Sequence, residues 1–184
     1  MAVDGSLAVE PADARRDRYY DQPFFVPITR IQLEQDTAQS IRLEAPKGQY
    51  EEYLVNYNRS SVPLIEIITP PVLTSPTHAA ATFAKIIEIL RATGTSTAEL
   101  HHGAIRCDVN VSLGFKSPKV EIKNLNSVTA VRKACLYEIK KQVEDWERGE
   151  PILPTTKSYN GSQTVWTRNK LEEKDYRYFH THLS

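Results

Sequence analysis

The chain has 184 residues, of which 40% are hydrophobic and 25% charged, a balance that supports a buried core and excludes a wholly disordered polypeptide. Lysine plus arginine number 23 and aspartate plus glutamate number 23, so no bulk basic field announces nucleic-acid binding and any RNA contact has to be local. The longest apolar stretches, around residues 62–68 and 79–90, fall well short of the roughly 20 residues a membrane span needs.

Residues 1–22 show no periodicity and no apolar signal core, and Asp4, Glu10 and Asp13 argue against an acid-poor mitochondrial presequence. Residues 1–23 are therefore expected to be loose, with order starting near Phe24 in a Pro-bounded FFVP segment. Ile31 and Leu33, Ile41 and Leu43, residues 53–57 and residues 62–68 read as short strands. Polar turns at 36–40 and 45–49 separate them, which makes a meander. Glu66 sits between Ile65 and Ile67, so its carboxylate either faces away from the core or is buried with a partner. Mg²⁺ takes hard oxygen ligands, often one or two carboxylates plus phosphate oxygens. Glu66 and Glu34, on neighbouring strands, would suffice for it with ATP present.

The period then changes. Ser75 is a cap, Pro76 suits the first helical position, Phe83, Ile86, Ile87 and Leu90 recur on one face, and Gly94 stops the helix. His101 and His102 are adjacent, so on an extended chain they point to opposite sides and do not chelate one ion; they read as exposed loop residues. From Gly103 to Ser127 the sequence alternates: Ile105, Cys107, Val109, Val111 and Leu113 on one face, Arg106, Asp108, Asn110 and Ser112 on the other. With Glu121, Lys123, Asn124 and Asn126 on a second strand, the polar face reads either as ordinary solvated sheet or as a site for phosphate, metal and amide groups. At about 3.3 Å per residue, Arg106 to Ser112 spans roughly 20 Å, room for a nucleotide triphosphate.

Asn126 or Ser127 caps a second helix, in which Val128, Val131, Cys135, Ile139, Val143 and Trp146 are spaced to form the packed face and Gly149 ends it. Cys107 and Cys135 lie on inferred apolar faces and read as small buried hydrophobes rather than as a metal site or a disulfide framework. Pro151 and Pro154 break regular structure, and Asn160-Gly161 between two extended segments signals a hairpin. The chain ends on aromatic and basic KDYRYFHTHLS. There is no nucleophile–base constellation and no Gly-rich phosphate loop. The order of elements predicts an α+β domain over residues 24–184, with a mostly antiparallel sheet, helices packed on one face and the other face left for ligand.

NYNRSSVPLIEIITPP, GAIRCDVNVS, VEIKNLNSVTAVRKACLYEIKKQ and DYRYF resemble, in order, signatures of the B subunit of the aspartyl/glutamyl-tRNA amidotransferases, over about residues 27–179; RIQLEQDTAQSI is similar to that family's RIHLEEDAGKLIH. The resemblance implies a glutamine-synthetase-like catalytic cradle and an ATP-dependent carbon–nitrogen ligase. Such an enzyme phosphorylates the glutamyl group of misacylated Glu-tRNA(Gln) with ATP and Mg²⁺, then amidates it with ammonia from the glutaminase A subunit. A small accessory subunit completes the complex, and a eukaryotic source would place it in the mitochondrion.

On the matching positions, Glu66 and Glu34 would be metal ligands. Arg106 and Lys123 would be catalytic cations, and Asp108, Asn110, Asn124 and Asn126 would line the ATP and acyl-phosphate pocket. The sequence also departs from the pattern. Nothing is expected to match the family's first strand, IGLEIH; Gln35 stands at the second acid of EED, the expected ligand; and Gln39, Pro70, His101 and His102 replace a lysine and three acids. The helical and tail tRNA-binding domains that the resemblance implies are expected to have no counterpart after DYRYF. The alternative expectation is therefore a catalytically impaired assembly module that keeps the fold and the A-subunit interface.

Overall fold

The computed structural model describes residues 2–10, 22–43, 52–99, 103–114 and 117–169. These divide into two compact units: residues 1–8 with 24–72, and residues 9–23 with 73–184. The expectations for residues 11–21, His101, His102, the turn at 45–49 and the C-terminal KDYRYF lie outside the described residues.

The first unit is built of strands: β1 (Ala2–Val9), β2 (Phe24–Gln35), β3 (Gln39–Arg42), β4 (Tyr53–Asn56) and β5 (Pro63–Ile68). They form a three-stranded sheet in the order β1-β2-β5 and a two-stranded ribbon, β3-β4. β1 corrects the expectation of a loose segment for residues 2–9. Leu7 and Val9 are buried two residues apart, a strand period hidden in the sequence by Asp4 and Gly5. Gly5 is there for space, because a Cβ on it would stand 3.3 Å from the Ile28 Cβ. The β2–β5 register is antiparallel and pairs Gln32 with Glu66 and Glu34 with Leu64. Between β4 and β5 the chain turns through Ser61 at φ 66°, and Arg59 pairs with Asp36 at 2.9 Å across that turn.

The second unit runs α1 (Pro76–Ala92), β6 (Cys107–Val111), β7 (Val120–Leu125), α2 (Val128–Glu147), β8 (Thr155–Tyr159) and β9 (Thr164–Asn169). Both helices begin where the sequence places a cap: the Ser75 hydroxyl accepts from the His78 N–H, and the Ser127 hydroxyl from the Ala130 N–H. The four strands form one sheet in the order β6-β7-β8-β9. β6–β7 and β8–β9 are antiparallel, but β7 and β8 are parallel, because α2 carries the chain back across the sheet between them. The expected α+β class holds, with several sheets rather than one and this parallel pair inside it. At the second hairpin Asn160 Oδ1 accepts from the Ser162 and Gln163 N–H groups, the local bonding that makes Asn a turn residue.

One apolar cluster backs the sheet: Phe83 and Ile87 of α1, Val111, Ile122 and Leu125 of the strands, and Val131, Ala134 and Cys135 of α2. Burying side chains of this size stabilises by about 1.5–3 kcal/mol each before entropy is subtracted. The buried stripe of α2 is Val131, Ala134, Cys135, Glu138 and Gln142. Two expected core positions are therefore corrected. Val143 is 36% exposed and rotates off the stripe, and Trp146, in the final turn beyond Gln142, is 71% exposed. Their places are taken by a carboxylate and an amide.

Glu138 is fully buried and fully partnered. Lys157 Nζ donates to both of its oxygens at 3.0 and 3.1 Å, Thr164 Oγ1 to Oε2 at 2.7 Å and Gln142 Nε2 to Oε1 at 3.1 Å. Gln142 Nε2 also reaches the Val111 carbonyl, so α2 is tied to β6, β8 and β9 by a polar network inside an apolar layer.

Candidate functional site

The face of the four-stranded sheet turned away from α2 carries the predicted polar residues. Arg106, Asp108 and Asn110 are exposed while Cys107, Val109 and Val111 pack inward, as the alternation requires. Asn110 stands opposite Glu121. Between Cys107↔Leu125 and Val109↔Ile122 the register shifts, so two residues of β7, Lys123 and Asn124, face the single residue Asp108. Asn124 takes φ 62°, a left-handed conformation that asparagine tolerates better than most side chains, and its N–H donates to Asp108 Oδ1 at 3.1 Å.

The bulge aims Lys123. Its Nζ lies 3.6 Å from Asp108 Oδ2 and 3.7 Å from Glu121 Oε1, and the other oxygen of Glu121 accepts from Thr156 Oγ1 at 3.2 Å. Each carboxylate thus has one oxygen pinned by a fixed donor and the other turned to the ammonium. Both separations exceed hydrogen-bond length, so the ammonium is held by charge while its three N–H donors stay available. Arg106 is exposed two residues before Asp108. Among the described side chains of this face, Arg106 and Lys123 stand against Asp108 and Glu121, a balanced set of charges.

In the first unit, Glu34 and Glu66 share a face, as expected of neighbouring strands. Gln32 Nε2 donates to Glu34 Oε1 at 2.8 Å and to Glu66 Oε2 at 2.5 Å. Of the two possibilities for Glu66, the structure shows the outward-facing one, since the residue is exposed. Partial desolvation raises its carboxyl above the usual carboxylate range, the nearby Glu34 charge and hydrogen bond raise it further, and Arg30 opposes the shift. Gln35, two along from Leu33, lies on the opposite face from Glu34 by the strand's alternation. Position 35 is therefore on the wrong side to join Glu66, and Glu34 is the residue that does.

The residues fit a divalent cation in chemistry: two hard carboxylates side by side, with no third His, Cys, Asp or Glu grouped with them among the described residues. That is the donor set Mg²⁺ takes when phosphate oxygens and water supply the rest. Sequence reasoning missed Gln32, Thr156 and Glu138. The i, i+2 spacing of Gln32 and Glu34 was a signal for the first. Thr156 had none, because it meets Glu121 only through the parallel β7–β8 pairing.

These features define a class: an α+β domain whose core-backed sheet presents an ordered, charge-balanced polar face. The chain belongs to the GatB/GatE catalytic domain family, which it matches over residues 1–182. It is 43% identical over 161 residues to the B subunit of the aspartyl/glutamyl-tRNA(Asn/Gln) amidotransferase of Coprothermobacter proteolyticus, covering 84% of this chain and 34% of that protein. It is 37% identical over 187 residues to the B subunit of the same name from Synechococcus sp. (strain WH7803), covering 97% of this chain and 37% of that one. To the Thermotoga petrophila protein of that name it is 37% identical over 186 residues, with 97% and 37% covered. The chain spans about a third of the length of these relatives. The family match starts at residue 1, so it takes in β1 and extends the resemblance beyond residues 27–179.

Proposed function

We propose that this chain provides the phosphoryl-transfer part of a glutamyl-tRNA(Gln) amidotransferase, within a glutamine-synthetase-like cradle. The observation that carries the reading is the single polar face on which Arg106, Asp108, Asn110, Lys123 and Asn124 lie, with exposed Asn126 just past the end of β7, in a chain of the GatB/GatE family. Arg106 and Lys123 neutralise charge on the transferred phosphoryl group. Asn110, Asn124 and Asn126 offer amide groups to the nucleotide and acyl phosphate, and Asp108 holds the strand geometry beneath them. Glu34 and Glu66 would hold Mg²⁺, which when bound supplies Lewis-acid neutralisation of phosphate charge. A charge-balanced face favours ATP as its magnesium complex over the bare tetra-anion.

The substrate in this reading is Glu-tRNA(Gln), and the partners are the glutaminase A subunit, as source of ammonia, and a small accessory subunit. Localisation follows the source, mitochondrial in a eukaryote. The test is ATP-dependent conversion of Glu-tRNA(Gln) to Gln-tRNA(Gln) with an A subunit added. Conversion lost in Arg106→Ala and Glu66→Gln is expected; conversion that survives both sinks the assignment.

A second reading, an assembly module without phosphoryl transfer, is favoured by the β3-β4 ribbon. Ile41, Tyr53, Leu54 and Val55 are all exposed there, a surface suited to a partner. Co-purification with the A subunit combined with no Mg-ATP binding at millimolar nucleotide would select it.

A further inference from the structure

Thr156 is 2% exposed, yet its hydroxyl is spent on a side chain of the open face. It lies on β8, directly opposite Glu121 in the parallel register, with Ser158 opposite Lys123. On its other side β8 shifts register against β9 between Thr156 and Lys157. Lys157 points to the α2 side, where it is clamped to Glu138. One irregularity, at Asn124 on β7, adjoins Lys123, and a second, with its extra residue at Thr167 on β9, lies beside Thr156; irregularities of this kind re-aim side chains.

We propose that Thr156 and Glu121 are positioning residues for Lys123, forming with Asp108 a bracket that fixes the ammonium without consuming its donors. Asp108 is pinned by the Asn124 N–H and Glu121 by the Thr156 hydroxyl, and the two turn their remaining oxygens to Lys123 at 3.6 and 3.7 Å. Without the Thr156 hydroxyl, Glu121 Oε2 loses that donor, and the carboxylate shifts either towards a short bond with Lys123 or away from it. In the first case it takes donors the ligand needs; in the second it leaves the ammonium loose. The β8 hydroxyl is thus a specificity element for an anionic, phosphate-bearing ligand, and this last step rests on the nucleotide reading above.

The test uses the full chain as wild type, Thr156→Val, Thr156→Ser and Glu121→Gln. Lys123 is probed by limiting acetic anhydride, with acetylation measured by peptide mass spectrometry against exposed Lys140, and Mg-ATP is titrated by calorimetry. Losing one hydrogen bond to a charged group should change Lys123 acetylation relative to Lys140 at least about threefold in Thr156→Val, with Thr156→Ser restoring it. Mg-ATP affinity should weaken and recover in the same two variants. An unchanged Lys123 to Lys140 ratio in Thr156→Val overturns the bracket whatever the nucleotide does, as does a variant that melts lower and labels both lysines alike. If wild type binds no Mg-ATP, the nucleotide reading falls, and the labelling ratio still decides the positioning role.

Discussion

The sheet of the second unit carries a lysine–carboxylate cluster on each of its faces, and the two are built for opposite purposes. Lys157 and Glu138 meet at 3.0 Å beneath α2, where Glu138 is wholly buried and every oxygen lone pair is satisfied. Lys123 stands on the other face, a neighbour in register, with both carboxylates beyond hydrogen-bond length and about a third or more of its side chain exposed. A buried pair has shed its water, so deleting one partner strands a charge in apolar surroundings. An exposed pair keeps its water and contributes little to stability. The same chemistry is therefore structural on one face and available to a ligand on the other.

Breaking the buried side of this comparison should have the largest effect. Glu138→Ala leaves Lys157 with no counter-ion under α2 and is expected to destabilise by about 3–5 kcal/mol in urea titration followed by circular dichroism. If it costs less than about 1 kcal/mol, the contrast between the faces is lost.

The thiols sharpen the same side. Burial pushes Cys107 and Cys135 up to about 12, so at pH 8 each should react with iodoacetamide on the order of 10³-fold more slowly than a thiol at 9.0. Both pKa values are raised by folding. The associated stability is thus complete below the unfolded thiol pKa and declines as pH rises from about 9 towards about 12.

At the boundary between the faces, Asn124→Val forces a β-branched residue into φ 62°, at an expected cost of about 1–2 kcal/mol, while Asn124→Gly stays close to wild type. The smallest stability effect belongs to the open face. Lys123→Ala should lower stability by less than about 1 kcal/mol in urea titration while, on the function proposed above, abolishing ATP-dependent amidation when the complex is assembled.

Much of the fold was legible because local chemistry dictated it. Ser75 with Pro76, and Ser127 before an apolar run, mark helix starts whose unpaired N–H groups need a side-chain acceptor. Asn160-Gly161 marks a hairpin because its side chain replaces backbone bonds. The alternation from Ile105 to Val111 sorted the inward from the outward residues of β6 correctly. β1 escaped because only Leu7 and Val9 are buried in it. On α2 the apolar spacing misled: Val143 and Trp146 are exposed while Glu138 and Gln142 are buried, since a carboxylate with enough partners enters a core that propensity alone reserves for hydrocarbons, and Gln142 follows it through its Nε2 bonds while its Oε1 has no partner among the described residues.

The candidate site divides the same way. Sequence alone placed Arg106, Asp108 and Asn110 on one face and put Glu34 and Glu66 on neighbouring strands, because a strand's period of two and a motif's order are properties of the chain. Only the tertiary structure decided that Asn124 bulges, that β8 runs parallel to β7, and that Thr156 therefore reaches Glu121. Those facts depend on register and crossover, which are set by where α2 packs and not by any residue's own preference.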